Sequence, residues 1–98
     1  MDIVFRHQRD RISSGEPALL YADVDGRPLE ARIDWETLQG LGASGRDEAV
    51  RGFLERYRRE IERAVRTQLF AQGVPVSRLI VLDAGDLRAA GVGAPESR

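Results

Sequence analysis

His7 is the only histidine in the sequence, and Asp10 follows it three residues later. A carboxylate beside an imidazole can assist a general base, and a histidine can also lie near a phosphate. However, no serine stands at a recognisable spacing for a nucleophile, and one histidine among scattered carboxylates does not make a metal site. We therefore predict that His7 is an exposed loop residue, with a catalytic His7–Asp10 pair as the weaker alternative.

Four further carboxylates fall on predicted turns, and these are Asp23, Asp25, Asp83 and Asp86. The turn itself explains Asp25, and side-chain bonds to nearby backbone amides explain Asp83 and Asp86. A hydrolytic carboxylate pair or a cation site is the alternative. The glycines at positions 40, 42 and 45 match the spacing of a dinucleotide fingerprint, but they follow a predicted helix instead of a strand. The sequence therefore assigns no catalytic residue, no metal ligand and no cofactor.

A row of arginines recurs at helical spacing opposite the predicted core. The row consists of Arg56, Arg59, Arg63 and Arg66, and Phe70 ends the same line. Aligned guanidinium groups could bind a phosphate backbone. From position 46 to position 66, however, seven arginines oppose five acids, so the net charge is only +2. We favour a solvated helix face, and weak nucleic-acid binding is kept as the second functional hypothesis.

The composition narrows the protein class further. Its 98 residues are enough for one domain with a modest core. Fifteen basic and sixteen acidic side chains nearly cancel, so no bulk field attracts nucleic acid or an anionic membrane. Every basic residue is arginine and cysteine is absent, which indicates a GC-rich genome and excludes a disulfide framework. Without a secretory signal or a run of about 18 apolar residues, a soluble cytoplasmic protein is expected.

One long helix, predicted from Ser44 to Gly73, organises the rest of the chain. Ser44 and Asp47 are typical of a capping box at its start, and Gly73 followed by Pro75 marks its end. Apolar residues recur along one stripe with the helical period. The stripe consists of Val50, Phe53, Leu54, Tyr57, Ile61, Ala64, Val65 and Ala71.

A β-hairpin with strands Ala18–Val24 and Arg27–Ile33 is the second strong prediction. Asp25 and Gly26 lie between the strands and favour a two-residue type I′ turn. The predicted register pairs Val24 with Arg27, Ala22 with Leu29, Leu20 with Ala31, and Ala18 with Ile33. One face is then almost entirely apolar, and a slip of one residue would mix the two faces. The opposite face carries Leu19, Tyr21, Asp23, Glu30 and Arg32.

Shorter elements complete the chain. Ile3–Phe5 is predicted to form an edge strand, and the apolar run Arg78–Leu82 an interior strand. Asp83–Leu87 is expected to form a closing turn. The single domain would then span residues 1–87, and residues 88–98 would form a disordered tail.

These elements predict an α+β fold. A mostly antiparallel sheet of three to four strands would carry the long helix and a short helix after Asp34 on one face. The order of the strands does not follow from the sequence.

The order of elements resembles a family of short bacterial proteins, domain of unknown function 1488. The residues that carry the resemblance are Ile3, Phe5, Ala22, Asp23, Val24, Asp25, Gly26, Ile33, Leu38, Phe53, Ile61, Asp86 and Leu87. They extend over residues 3–87, and most of them have structural roles. The resemblance implies a small bacterial α+β domain and supplies no catalytic residue.

Three apolar side chains lack an obvious partner in the predicted fold. Leu19 and Tyr21 lie on the second face of the sheet, and Phe70 lies on the polar side of the long helix. Small sheets with a partly apolar outer face often pair with a copy of themselves. The leading hypothesis is a non-enzymatic interaction module that forms a homodimer through this face or a strand edge. An enzyme is the third hypothesis, after nucleic-acid binding.

Overall fold

A computed structural model describes residues 1–43 and 45–93 of the chain, and it has an α+β fold. The strands are β1 (Ile3–Phe5), β2 (Ala18–Val24), β3 (Arg27–Ile33) and β4 (Leu79–Val81). The helices are α1 (Trp35–Gly40), α2 (Asp47–Arg56), α3 (Arg58–Gln72) and α4 (Ala84–Ala89), and a single 3₁₀ turn covers His7–Arg9. The strands form one mostly antiparallel sheet in the order β1-β2-β3-β4.

The β2–β3 hairpin has the predicted register. Val24 pairs with Arg27, and the alternation continues to the pair of Ala18 and Ile33. Asp25 and Gly26 both have positive φ, as a type I′ turn requires. Turn chemistry and apolar alternation therefore specify the same pairing.

The prediction of an interior strand at Arg78–Leu82 is wrong. β4 is an edge strand that pairs in parallel with β3, and Val81 is 45% exposed. The continuous apolar sequence was misleading because its two buried residues, Ile80 and Leu82, are buried in different places. Ile80 lies on the inner face of the sheet beside Ala31, whereas Leu82 enters the core after the strand has ended.

The prediction of one uninterrupted long helix is also wrong. The helix breaks at Tyr57, where ψ is 21°, far from the helical value. The Tyr57 ring packs against Phe53 and is half-buried on the core, which fixes the residue at the junction. Beyond the break the buried stripe ends on Leu69, and Ala71 is exposed.

The two ends of the predicted long helix have different outcomes. Ser44 lies outside the described residues, and the first helical residue is Asp47. Asp47 accepts a hydrogen bond from the backbone N–H of Ser14, so its carboxylate ties the N-terminal loop to α2. At the other end, Gly73 has φ +78° and follows the last helical residue, as predicted.

The C-terminal prediction needs correction as well. Instead of a closing turn, Asp83 begins α4 through a capping box, in which its side chain accepts from the backbone N–H of Asp86 and the reverse bond is also made. The predicted carboxylate-to-amide bonds are therefore confirmed. Ala90 and Val92 are buried, so residues 88–93 belong to the fold and are not a disordered tail. The remaining predicted tail, residues 94–98, lies outside the described residues.

One apolar cluster holds the domain together. It contains the inward side chains of the sheet and side chains from all four helices, among them Leu38, Val50, Leu69 and Leu87. Burying such side chains provides most of the stability of a small domain. The outward side chains of the strands take no part in this cluster, so the sheet has one packed face and one open face.

Candidate functional site

The structure joins His7 to two carboxylates. His7 lies in the 3₁₀ turn after β1, and its ring stacks on Phe5 with a centroid separation of 5.7 Å. Its Nδ1 lies 2.9 Å from Asp10 Oδ2, and its Nε2 lies 2.6 Å from Glu62 Oε2 on α3. The predicted pairing with Asp10 is therefore present. The predicted exposure is wrong, because His7 is half-buried between the turn and the helix.

Asp10 is itself held in place by the sheet. Its second oxygen, Oδ1, accepts a hydrogen bond from the backbone N–H of Tyr21 on β2 at 3.0 Å. Only 8% of the Asp10 side chain is exposed. The cluster of His7, Asp10 and Glu62 consequently links the N-terminal turn, a central strand and the longest helix.

The two carboxylates determine the protonation state of His7. Burial lowers its pKa, but the hydrogen bonds to Glu62 and Asp10 outweigh burial and raise the pKa above the ordinary 6.5. Ionised carboxylates only accept hydrogen bonds, and only the doubly protonated imidazolium donates from both ring nitrogens. His7 is therefore arranged as a cationic clamp. Neither ring nitrogen is free to take a proton from a substrate.

A cleft of about 330 Å³ adjoins this clamp. His7, Asp10, Arg51, Glu55 and Arg58 form its polar part, and Leu20, Leu54 and Ile61 are among its apolar lining residues. Among the described residues that line the cleft, none carries a hydroxyl or thiol group that could act as a nucleophile. Its guanidinium groups already have partners, because Arg51 donates to the Ile12 carbonyl and Arg58 to Glu55.

The turn carboxylates have structural partners. Asp23 accepts from Arg6 at 2.8 Å, and Asp25 accepts from the backbone N–H of Asp2 at 2.8 Å. Among the described residues, no group of three metal-ligating side chains lies close enough to hold an ion. The carboxylates of the predicted turns thus fix the ends of elements.

The arginine row is divided in the structure. Arg56 ends α2, before the break at Tyr57, and its guanidinium lies over the Tyr57 ring. On α3, Arg63 donates to the Ala90 carbonyl, and Arg66 lies over the Phe5 ring at 5.1 Å. Arg59, on the first turn of α3, is exposed. Two of the α3 arginines therefore reach towards opposite flanks of the helix, and nucleic-acid binding through this row stays a prediction.

The open face of the sheet brings together residues that the sequence left without a partner. Strand pairing places them in two adjacent rows that run across the sheet. The acidic row consists of Tyr21, Glu30 and Leu79, and the basic row consists of Leu19, Arg32 and Val81. On β3 each row has one charge, and Arg11, which pairs with Leu19 through an isolated bridge, adds a second cation beside the basic row. These two rows are called the outer face below.

Arg32 is the least satisfied side chain of the outer face. Its Nε is buried, yet it has no hydrogen-bond partner among the described residues. Leaving a buried polar group without a partner costs about 1–3 kcal/mol, and more for a charged group. Native structures seldom leave such a donor unused, so it needs an explanation.

The acidic row is better satisfied. The Tyr21 hydroxyl donates to Glu30 Oε1 at 3.3 Å, while Glu30 Oε2 has no hydrogen bond within the described chain. Burial and the nearby Glu30 carboxylate raise the pKa of Tyr21, so its hydroxyl stays a donor. Glu30 therefore keeps an acceptor oxygen on the open face.

Phe70 does not join this surface. It lies on α3 and is 65% exposed, whereas Leu19 and Tyr21 lie on the opposite side of the sheet. The three residues predicted as candidates for an interaction surface therefore lie on two different sides of the domain. Glu30 and Arg32 belong to the outer face instead, and their alternation along β3 was the sequence signal for them.

Comparison of the chain with models of known families, with curated proteins and with solved structures found no match. The resemblance to domain of unknown function 1488 stays a prediction. No helix of the described chain is long and apolar enough to cross a membrane.

Proposed function

We propose that the protein is a non-enzymatic interaction module that binds a second copy of itself through the outer face. The observation that carries this proposal is the unpartnered Nε of Arg32 in the middle of an open, partly apolar sheet face. A second copy would cover the apolar side chains and place an acceptor beside the accessible part of the Arg32 guanidinium. The cytoplasmic localisation stays a prediction from the sequence.

The distribution of apolar side chains supports the proposal. Leu19, Tyr21, Leu79 and Val81 lie on one surface and belong neither to the core cluster nor to its partly buried fringe. Val81 is exposed, and the other three side chains are half-buried. Contiguous exposed apolar groups with polar neighbours are typical of contact surfaces. Covering them would add hydrophobic stabilisation that the isolated domain lacks.

The size of the face sets the expected strength. With strands about 4.8 Å apart and about 3.4 Å per residue, one face of the whole four-stranded sheet covers roughly 300–350 Å² in projection. Stable interfaces bury about 800 Å² on each partner, so this surface is smaller than a standard interface. We therefore expect a reversible dimer with a micromolar dissociation constant.

Multi-angle light scattering on a concentration series tests the proposal. The wild-type mass should rise from that of a monomer to that of a dimer as the concentration passes through the micromolar range. The double variant Leu19→Thr/Tyr21→Thr keeps strand propensity but loses apolar surface. We expect it to remain monomeric with an unchanged far-UV circular dichroism spectrum.

Phe70→Ala is the matched control, because it removes an exposed apolar side chain from the helical layer. It should dimerise as the wild type does. A wild-type chain that stays monomeric into the high micromolar range contradicts the proposal. A dimer that Phe70→Ala abolishes and the sheet variant does not would place the contact on α3 instead.

A further inference from the structure

We infer that the two copies meet in one specific register, in which Arg32 of each copy pairs with Glu30 of the other. The inference rests on the proposed self-association and specifies how the second copy is oriented on the first. Its basis is the opposite charge of the two rows of the outer face.

The two rows are complementary in chemistry. At the centre of the acidic row, Glu30 retains an unused carboxylate oxygen, and at the centre of the basic row, Arg32 retains an unused N–H. The two residues are two positions apart on β3, so their side chains leave the same face about 7 Å from each other. The structure shows no hydrogen bond between the two side chains in the described chain, and their spacing fits two separate pairs across an interface.

A two-fold axis brings the rows together. Consider a two-fold axis that lies in the interface, runs perpendicular to the strands and passes midway between the two rows. A half-turn about this axis places the two sheets face to face, with the acidic row of each copy over the basic row of the other. Every residue of the acidic row then lies opposite its counterpart in the basic row of the other copy. The facing pairs are Glu30 with Arg32, Tyr21 with Leu19, and Leu79 with Val81, each of them formed twice. This is the self-complementary geometry that a two-fold interface needs.

Alternative registers lose this match. An axis along β3 would set Arg32 against Arg32 and Glu30 against Glu30, and like charges that face each other are strongly unfavourable. An axis between β2 and β3 would instead leave both charges over Leu19 and Tyr21 without a counter-charge. Sliding one sheet by two residues would leave an unpaired charge under the partner sheet. Charge complementarity therefore selects one register among those that bury similar apolar area.

Charge reversal tests the register directly. In Arg32→Glu every facing charged pair becomes acid against acid, and in Glu30→Arg it becomes base against base. We expect each single variant to bind itself roughly a hundredfold or more weakly than the wild type. The double variant Glu30→Arg/Arg32→Glu should dimerise again, because both pairs are restored with the charges exchanged.

Mixing the two single variants gives the sharpest result. One copy then carries two acids and the other two bases, so we expect a heterodimer to form from two chains that are monomeric alone. Light scattering on the separate and mixed samples measures this, with circular dichroism as the check on folding. If both single variants dimerise like the wild type while Leu19→Thr/Tyr21→Thr does not, the register is wrong but the interface stands. If the wild type itself is monomeric, both proposals fail.

A second measurement applies if a charge variant does not fold. The chain contains no cysteine, so Leu19→Cys and Tyr21→Cys each introduce a single thiol. Random pairing of an equal mixture of the two would put about half of the cross-linked product in unlike pairs. A short bismaleimide linker should give a clear excess of unlike pairs over that proportion, because these positions face each other. The random proportion, or an excess of like pairs, overturns the register.

Discussion

His7 and Arg32 are both cations held partly out of water, and they differ in how their N–H groups are satisfied. Both ring nitrogens of His7 meet carboxylates of the same chain, one of them on a helix far away in sequence. The buried Nε of Arg32 meets none among the described residues. A fully satisfied buried charge holds a fold together, whereas an unsatisfied one costs stability that a further contact would offset.

Removing a carboxylate that binds His7 and removing the Arg32 guanidinium should therefore have opposite effects on the stability of the monomer. Asp10→Ala leaves both His7 Nδ1 and the Tyr21 N–H without their acceptor. We expect the free energy of unfolding to fall by about 1–3 kcal/mol, measured by urea denaturation. Asp10→Asn keeps an acceptor oxygen and should lose less. Equal stability of Asp10→Ala and wild type would show that the clamp does not stabilise the fold.

Replacing Arg32 should leave the stability of the monomer intact and weaken self-association. Arg32→Met retains a long side chain on the outer face and removes the unsatisfied guanidinium. We expect the free energy of unfolding of the monomer to stay within about 0.5 kcal/mol of wild type or to rise. Self-association should nevertheless weaken, because the partner's Glu30 loses its counter-charge. A loss of monomer stability similar to that of Asp10→Ala would remove the distinction between the two cations.

The smallest effect is the pH dependence of the clamp. The pKa of His7 is raised in the folded state, so its contribution is complete below the unfolded value of about 6.5 and is lost as the pH rises through the folded value. The difference in unfolding free energy between wild type and His7→Gln should therefore shrink from roughly pH 6 to roughly pH 9. Urea denaturation at both pH values measures it. A difference that grows with pH would contradict the imidazolium assignment.

Local signals predicted the hairpin well. Asp25 and Gly26 define the turn, and the apolar alternation of both strands agrees with it, so a few neighbouring residues specify the register. The same alternation placed Glu30 and Arg32 on the outer face. The edge position of β1 was also predicted correctly.

Contacts between distant residues could not be predicted. Glu62 is 55 residues from His7, and nothing in the helical pattern distinguishes it from the other acids of that helix. The break at Tyr57 keeps the apolar period on both sides, so periodicity alone cannot reveal it. The C-terminal helix was missed because small residues and glycine obscure the burial of Ala90 and Val92.

The central claim is that the outer face of the sheet is a contact surface between two copies of the chain. Sedimentation equilibrium of the unmodified protein over a wide dilution series measures this without any substitution. We predict a reversible change from monomer to dimer in the micromolar range, with no larger species. A single monomeric mass at every concentration would contradict the account.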